Sequence, residues 1–133
     1  MHDFDKSGLH GTVEQKNSIG QITSEINYWH GIPHGICKFY DPKTQKVTCE
    51  MMYYYGKLDG DKFNYDSLGR LVRHTHYNNG IMITNQTMNL RSRRHTGVSF
   101  KYYYSNGKCV KEECYKIDNG EFTIDVTIHH DDD

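Results

Sequence analysis

The chain has 133 residues, enough for one domain, and its 16 lysines and arginines nearly cancel 17 aspartates and glutamates. The resulting net charge of −1 argues against a general nucleic-acid binder and gives no broad pull toward anionic lipid. Only 35% of residues are hydrophobic, alanine is absent and leucine occurs five times, whereas there are 11 tyrosines and 12 glycines. This composition argues against helical bundles and α/β enzymes, and an all-β protein with a thin core is expected.

No apolar run is long enough to span a bilayer as a helix. The opening Met1-His2-Asp3-Phe4-Asp5-Lys6 lacks the apolar stretch of a secretory signal. An intracellular, cytoplasmic protein with reduced thiols is therefore expected, and Asn85-Gln86-Thr87 reads as a chance match to a glycosylation triplet.

In chain order, Gly8-Leu9-His10-Gly11 opens the first unit, and Asn17-Ser18-Ile19-Gly20 is its turn. Tyr28-Trp29 then leads into Gly31-Ile32-Pro33-His34-Gly35. Residues 36–40 and 46–54 flank the turn Asp41-Pro42, with proline preset for the second turn position. Tyr54-Tyr55 precedes Gly56-Lys57-Leu58-Asp59-Gly60, after which residues 61–65 and 70–77 flank Asp66-Ser67-Leu68-Gly69. Residues 100–105 and 108–115 flank Asn106-Gly107, the strongest short hairpin signal. The glycines recur at a period of about 24, in the series 11, 35, 60 and 31, 56, 80. Parity along the return strands places Ile22 with Tyr28, and Leu71 with Tyr77, on one face, and Glu25 and His74 on the other. Gly31, Gly35, Gly56, Gly60, Gly80 and Gly97 are the expected joint glycines. Gly80 to Gly120 is 40 residues, so about 81–96, with Arg91, Arg93 and Arg94, reads as an irregular insertion, an inserted hairpin or a protruding loop, in a single domain spanning 1–133. Residues 129–133 form an acidic tail.

These hairpins, with aromatics before glycine and a Gly-x-x-His-Gly joint, resemble the MORN repeat, closest to the variant of antitoxin-like proteins and large DNA viruses. The resemblance is carried by residues 28–40, by 54–65, and by Tyr102-Tyr103-Tyr104-Ser105-Asn106-Gly107-Lys108. It covers about residues 8–122, broken at 84–96, with Glu14-Gln15-Lys16 in the first unit standing where later units have Phe and Tyr, and with the joint glycine missing from the fourth. It implies an elongated single-layer antiparallel β-meander. It also implies a binding or assembly module: a scaffold, a virion or capsid accessory component incorporated into a viral particle, or an antitoxin-like binder of a partner protein. The rival it brings is a peripheral lipid-binding module, which the net charge disfavours.

No Gly-x-Ser-x-Gly element, phosphate loop or nucleophile–base pair is legible, so no catalytic residue is assigned and a non-enzymatic protein without a cofactor is expected. Cys37 and Cys49 are equidistant from Lys43 and should face each other across a hairpin. Cys109 and Cys114, an odd number apart, should point to opposite faces and so form no four-thiolate cage. The cysteines are read as inert buried thiols, and no metal ligands are assigned. His74 and His76 share a face, and His129-His130 precedes three aspartates as a potential cation-binding tail, but both read as solvent-facing polar groups. His10 and His34 belong to the joint, where turn hydrogen bonding is expected. The remaining signal is aromatic: Trp29, Tyr54, Tyr55, Tyr77 and Tyr103, with Arg91, Arg93 and Arg94, form the candidate surface for a protein partner or a second copy.

Overall fold

Short runs of Ile, Val, Thr, Tyr and Phe, punctuated by Gly, Asn and Asp, fold into strands joined by tight turns. A computed structural model describes residues 2–5, 8–90 and 96–130. The strands are β1 (His2–Asp5), β2 (Gly8–Lys16), β3 (Ile22–Trp29), β4 (Ile32–Pro33), β5 (Gly35–Tyr40) and β6 (Val47–Tyr54). They continue with β7 (Lys57–Tyr65), β8 (Leu71–Asn78), β9 (Ile81–Leu90), β10 (Gly97–Ser105), β11 (Lys108–Asp118) and β12 (Glu121–His129). All pair antiparallel with their chain neighbours in one sheet, with the two-residue β4 beside β3. The sheet is an elongated meander that does not close into a barrel, and β1 and β12 are its edges.

Successive turns alternate between the two ends of the strands. At one end lie His30-Gly31, Tyr55-Gly56, Asn79-Gly80 and Asn106-Gly107, each pair with φ between 47° and 85°. Two consecutive positive φ values are the mark of a type I′ turn, whose twist matches that of the strands it joins. At the other end an Asx residue organises each turn of the first three units. Asn17 Oδ1 accepts from the backbone N–H of Ile19 and Gln21, Asp41 Oδ1 from Lys43, and Asp66 Oδ1 from Leu68 and Arg70.

The segment read as irregular is corrected by this arrangement. Ile81–Leu90 is a ten-residue strand, paired along both sides with β8 and β10. Gly120 is not the counterpart of Gly80, because it sits at the opposite end of the strands. The true counterpart of Gly80 is Gly107, 27 residues on, so the period continues with a small excess. A polar run such as Thr84-Asn85-Gln86-Thr87 forms a strand because both of its edges are hydrogen-bonded within the sheet.

Simple parity also fails at regular positions. The return strand of each of the first three units carries a bulge at its second residue, Thr23, Thr48 or Val72, where the pairing register slips by one. The hydroxyl of Thr23 donates to the Gln15 carbonyl at 3.2 Å, and that of Thr48 to the Phe39 carbonyl at 3.3 Å. The extra residue turns Ile22 and Leu71 to the face opposite Tyr28 and Tyr77. For the same reason Cys37 stands opposite Met51 and Cys49 opposite Phe39, making the two cysteines diagonal neighbours on one face.

The core changes sides along the sheet. Ser24, Cys37, Cys49 and Thr75 are buried on one face, here the Cys37 face. Ser99, Glu113 and Ile117 are buried on the other, the His74 face. The buried hydroxyls are satisfied by amide side chains of adjacent strands: Ser24 by Gln15 at 3.0 Å, Ser99 by Gln86 at 2.9 Å. A thin, partly polar core therefore costs few unmade hydrogen bonds.

Candidate interaction surface and side-chain clusters

The end of the sheet that carries His30-Gly31, Tyr55-Gly56 and Asn79-Gly80 is built from a repeated lock. The turn glycines Gly31, Gly56 and Gly80 donate their N–H groups to the carbonyls of Leu9, Pro33 and Leu58 in the preceding joint. Beside each bond, the joint residue before glycine accepts from the first turn residue. His10 Nδ1 takes the His30 N–H at 3.5 Å, His34 Nδ1 the Tyr55 N–H at 3.0 Å, and Asp59 Oδ1 the Asn79 N–H at 3.2 Å. The turn hydrogen bonding expected of His10 and His34 is thus present, and Asp59 does the same work.

Two of the three locks also carry rings. His10 packs edge-on against Trp29 and His30 at centroid distances of 5.1 and 4.6 Å. His34 packs against Tyr54 and Tyr55 at 5.3 and 4.5 Å. Each histidine holds two aromatic side chains at the rim, and the outer rings remain about half exposed: Trp29 46%, Tyr54 55% and Tyr55 52%. Ile32 lies exposed between the two clusters, its Cβ 3.8 Å from where a Gly56 Cβ would stand. The third lock has Asn78 and Asn79 in place of rings, so the apolar rim spans two units and is followed by Ile81.

The other expected surface residues are placed differently. Tyr77 is half-buried on the Cys37 face, in line with Tyr28 and Tyr53 of the preceding units. Tyr103 is half-buried on the His74 face, where its hydroxyl donates to Glu113 at 2.5 Å and Lys101 and Lys111 lie over its ring at 5.1 and 4.7 Å. Tyr115 donates to the same carboxylate at 2.8 Å. These two hydroxyls hold the buried Glu113 carboxyl below its ordinary range, the Tyr103 bond leading, while burial and then Glu113 push the Tyr103 phenol up. Tyr103 is thus largely committed to the fold. Arg91, Arg93 and Arg94 lie outside the described residues.

His74 and His76 share a face as expected, and both meet Asp61 Oδ1, at 2.8 and 3.0 Å. Those contacts, led by His74, hold the Asp61 carboxyl below its ordinary range. His74 also stacks on Phe63 and lines an apolar depression with Leu71, Met88, Leu90, Ile117 and Phe122.

The cysteines divide in two. Cys37 and Cys49 are buried, and burial pushes both thiols up. Cys109 and Cys114 are half-buried. The parity argument that set the latter on opposite faces fails at a bulge in β11, where Tyr103 opposes Lys111 and Tyr104 opposes Cys109. The skipped residue, Val110, turns Cys109 to the face that also carries Glu112 and Cys114. His130 joins them from beyond β12, its N–H on the Val110 carbonyl at 2.9 Å and its Nε2 2.7 Å from Glu112 Oε2. The ligand atoms of Cys109, Glu112 and His130 all lie within 4.8 Å of one another. No sequence spacing announces this trio, because the bulge and the sheet pairing create it.

Compared with known proteins, the chain matches no family model, no curated sequence and no solved structure.

Proposed function

We propose that this is a non-enzymatic β-repeat protein that acts as a protein–protein scaffold or assembly adaptor, of the MORN-variant kind its joints resemble. The observation that carries the reading is the apolar rim: Trp29, Tyr54 and Tyr55, half exposed and held by two successive histidine locks, with Ile32 exposed between them. Tyrosine and tryptophan offer large contact area at small entropic cost, and rings already fixed by a neighbour lose little more on binding. The occupant that fits is a partner protein presenting an apolar groove. A virion component or an antitoxin-like binder would use such a rim in the same way, from an intracellular setting. Lipid binding is the weaker reading, since the chain is nearly neutral.

The test is chemical cross-linking in the native source followed by capture, comparing wild type with the Trp29→Ser, Tyr54→Ser double variant. A partner whose cross-links map to residues 29–56 and vanish in the folded double variant is expected. Equal capture by both would overturn the reading. Co-sedimentation of the wild type with phosphatidylserine vesicles would favour the lipid alternative.

A further inference from the structure

We propose that Cys109, Glu112 and His130 form a binding site for a zinc ion, with a fourth position open to water or another small ligand. Thiolate, carboxylate and imidazole are the three donor types zinc accepts, and three protein ligands with one open position is a common arrangement for it. Cysteine supplies the soft donor that magnesium and calcium sites lack. Charge also balances: one thiolate and one carboxylate neutralise a divalent cation.

The geometry needs little adjustment. Ligand atoms around tetrahedral zinc stand roughly 3.3–3.8 Å apart, given bond lengths of about 2.0–2.3 Å. The three donors here already fall within 4.8 Å of one another, and the 2.7 Å contact between His130 and Glu112 is a hydrogen bond that zinc would replace. Three features set the site beforehand. The Val110 bulge brings Cys109 round to Glu112, and the His130 N–H is fixed on the Val110 carbonyl. Lys111, between the two ligands in sequence, faces the other way, its ammonium 3.7 Å from Glu113. The ion would thus see two acidic donors with that lysine on the far side of the sheet. On binding, the Cys109 thiol, which now donates to the Lys111 carbonyl at 3.5 Å, gives its proton to solvent as the zinc–sulfur bond forms. The proton that His130 Nε2 shares with Glu112 passes to Nδ1 through solvent, freeing the Nε2 lone pair for the ion. The ion would tie the chain just past β12 to β11.

Titration of the full chain with zinc chloride, followed by calorimetry, tests the proposal. One equivalent should bind with a saturable isotherm and proton release, and cobalt(II) should give a thiolate-to-metal charge-transfer band. Cys109→Ser, Glu112→Gln and His130→Ala should each weaken zinc binding at least about tenfold. Cys114→Ser and His129→Ala should leave it unchanged. If a ligand variant fails to fold, alkylation of the wild type decides: zinc should protect Cys109, and equal labelling with and without the ion overturns the site. Absence of saturable binding, or binding that survives Cys109→Ser, would also overturn it.

Discussion

The Tyr55 N–H donates to His34 Nδ1 at 3.0 Å, a bond that joins the turn of one repeat to the joint of the repeat before it. The same bond is made by Asp59 to Asn79 with a different chemical group. Imidazole and carboxylate are interchangeable at this position because the turn asks only for an acceptor. The next unit has Ile83 there, which offers none.

Removing the acceptor should cost one hydrogen bond plus an exposed N–H. His34→Ala is expected to lower stability by about 1 kcal/mol or slightly more, with the ring contacts to Tyr54 and Tyr55 adding to the loss. Urea denaturation read by circular dichroism checks it, with Ile83→Ala as a variant that removes no lock.

Gly97 should be the least replaceable glycine of the C-terminal half. A Cβ there would stand 1.9 Å from the Asn89 carbonyl oxygen, so β9 and β10 would have to part. Gly97→Ala is expected to cost at least about 3 kcal/mol, in the range of severe overpacking. Gly107→Ala meets nothing within 4 Å and bears only the strain of φ +78°, about 1 kcal/mol. Melting temperatures of the two variants would show the difference.

The Glu113 cluster makes stability depend on pH at both extremes. The Glu113 carboxyl is depressed in the folded chain, so its contribution is complete above the ordinary glutamate value, about 4.3, and is lost as pH falls through the folded value. The Tyr103 phenol is raised, so its contribution is complete below about 10 and is lost as pH climbs beyond that. Glu113→Gln should flatten the acid limb of a plot of unfolding free energy against pH. Tyr40, pushed up to about 12 by burial and by its bond to Glu25, adds to the alkaline limb.

Thiol reactivity should follow burial. In metal-free protein at mildly alkaline pH, iodoacetamide is expected to label Cys109 and Cys114 well before Cys37 and Cys49, whose thiols are raised by desolvation. Peptide mapping of a time course reads the order directly, and early labelling of Cys37 would contradict the buried position of its strand.

Most of the strand order was legible because turn chemistry is local. Asn106-Gly107, Asp41-Pro42 and Asp66-Ser67-Leu68-Gly69 each announce a reversal from the residues themselves. What escaped was everything that depends on register. The bulges at Thr23, Val72 and Val110 are invisible to an alternation rule, yet each flips the residues beyond it. Alternation alone therefore puts Ile22 and Leu71 on the wrong face and separates Cys109 from Cys114. The polar strand β9 was missed for a different reason: its residues gain their structure from two neighbours and carry no apolar pattern of their own. The aromatic rim was legible as Trp29, Tyr54 and Tyr55. Tyr103 resembled them in sequence but is drawn inward by Glu113, a partner ten residues away on the next strand.

Because each lock reaches only one unit along the chain, nothing in residues 31–55 refers to the overall length of the sheet. A duplicated copy of that stretch would find the same acceptor behind it and the same donor ahead, and would add two strands, about 10 Å, to the long dimension. Span is therefore an adjustable property of this architecture: by gaining or shedding whole hairpins, a chain of this design can act as a ruler that sets the distance between whatever is held at its two ends.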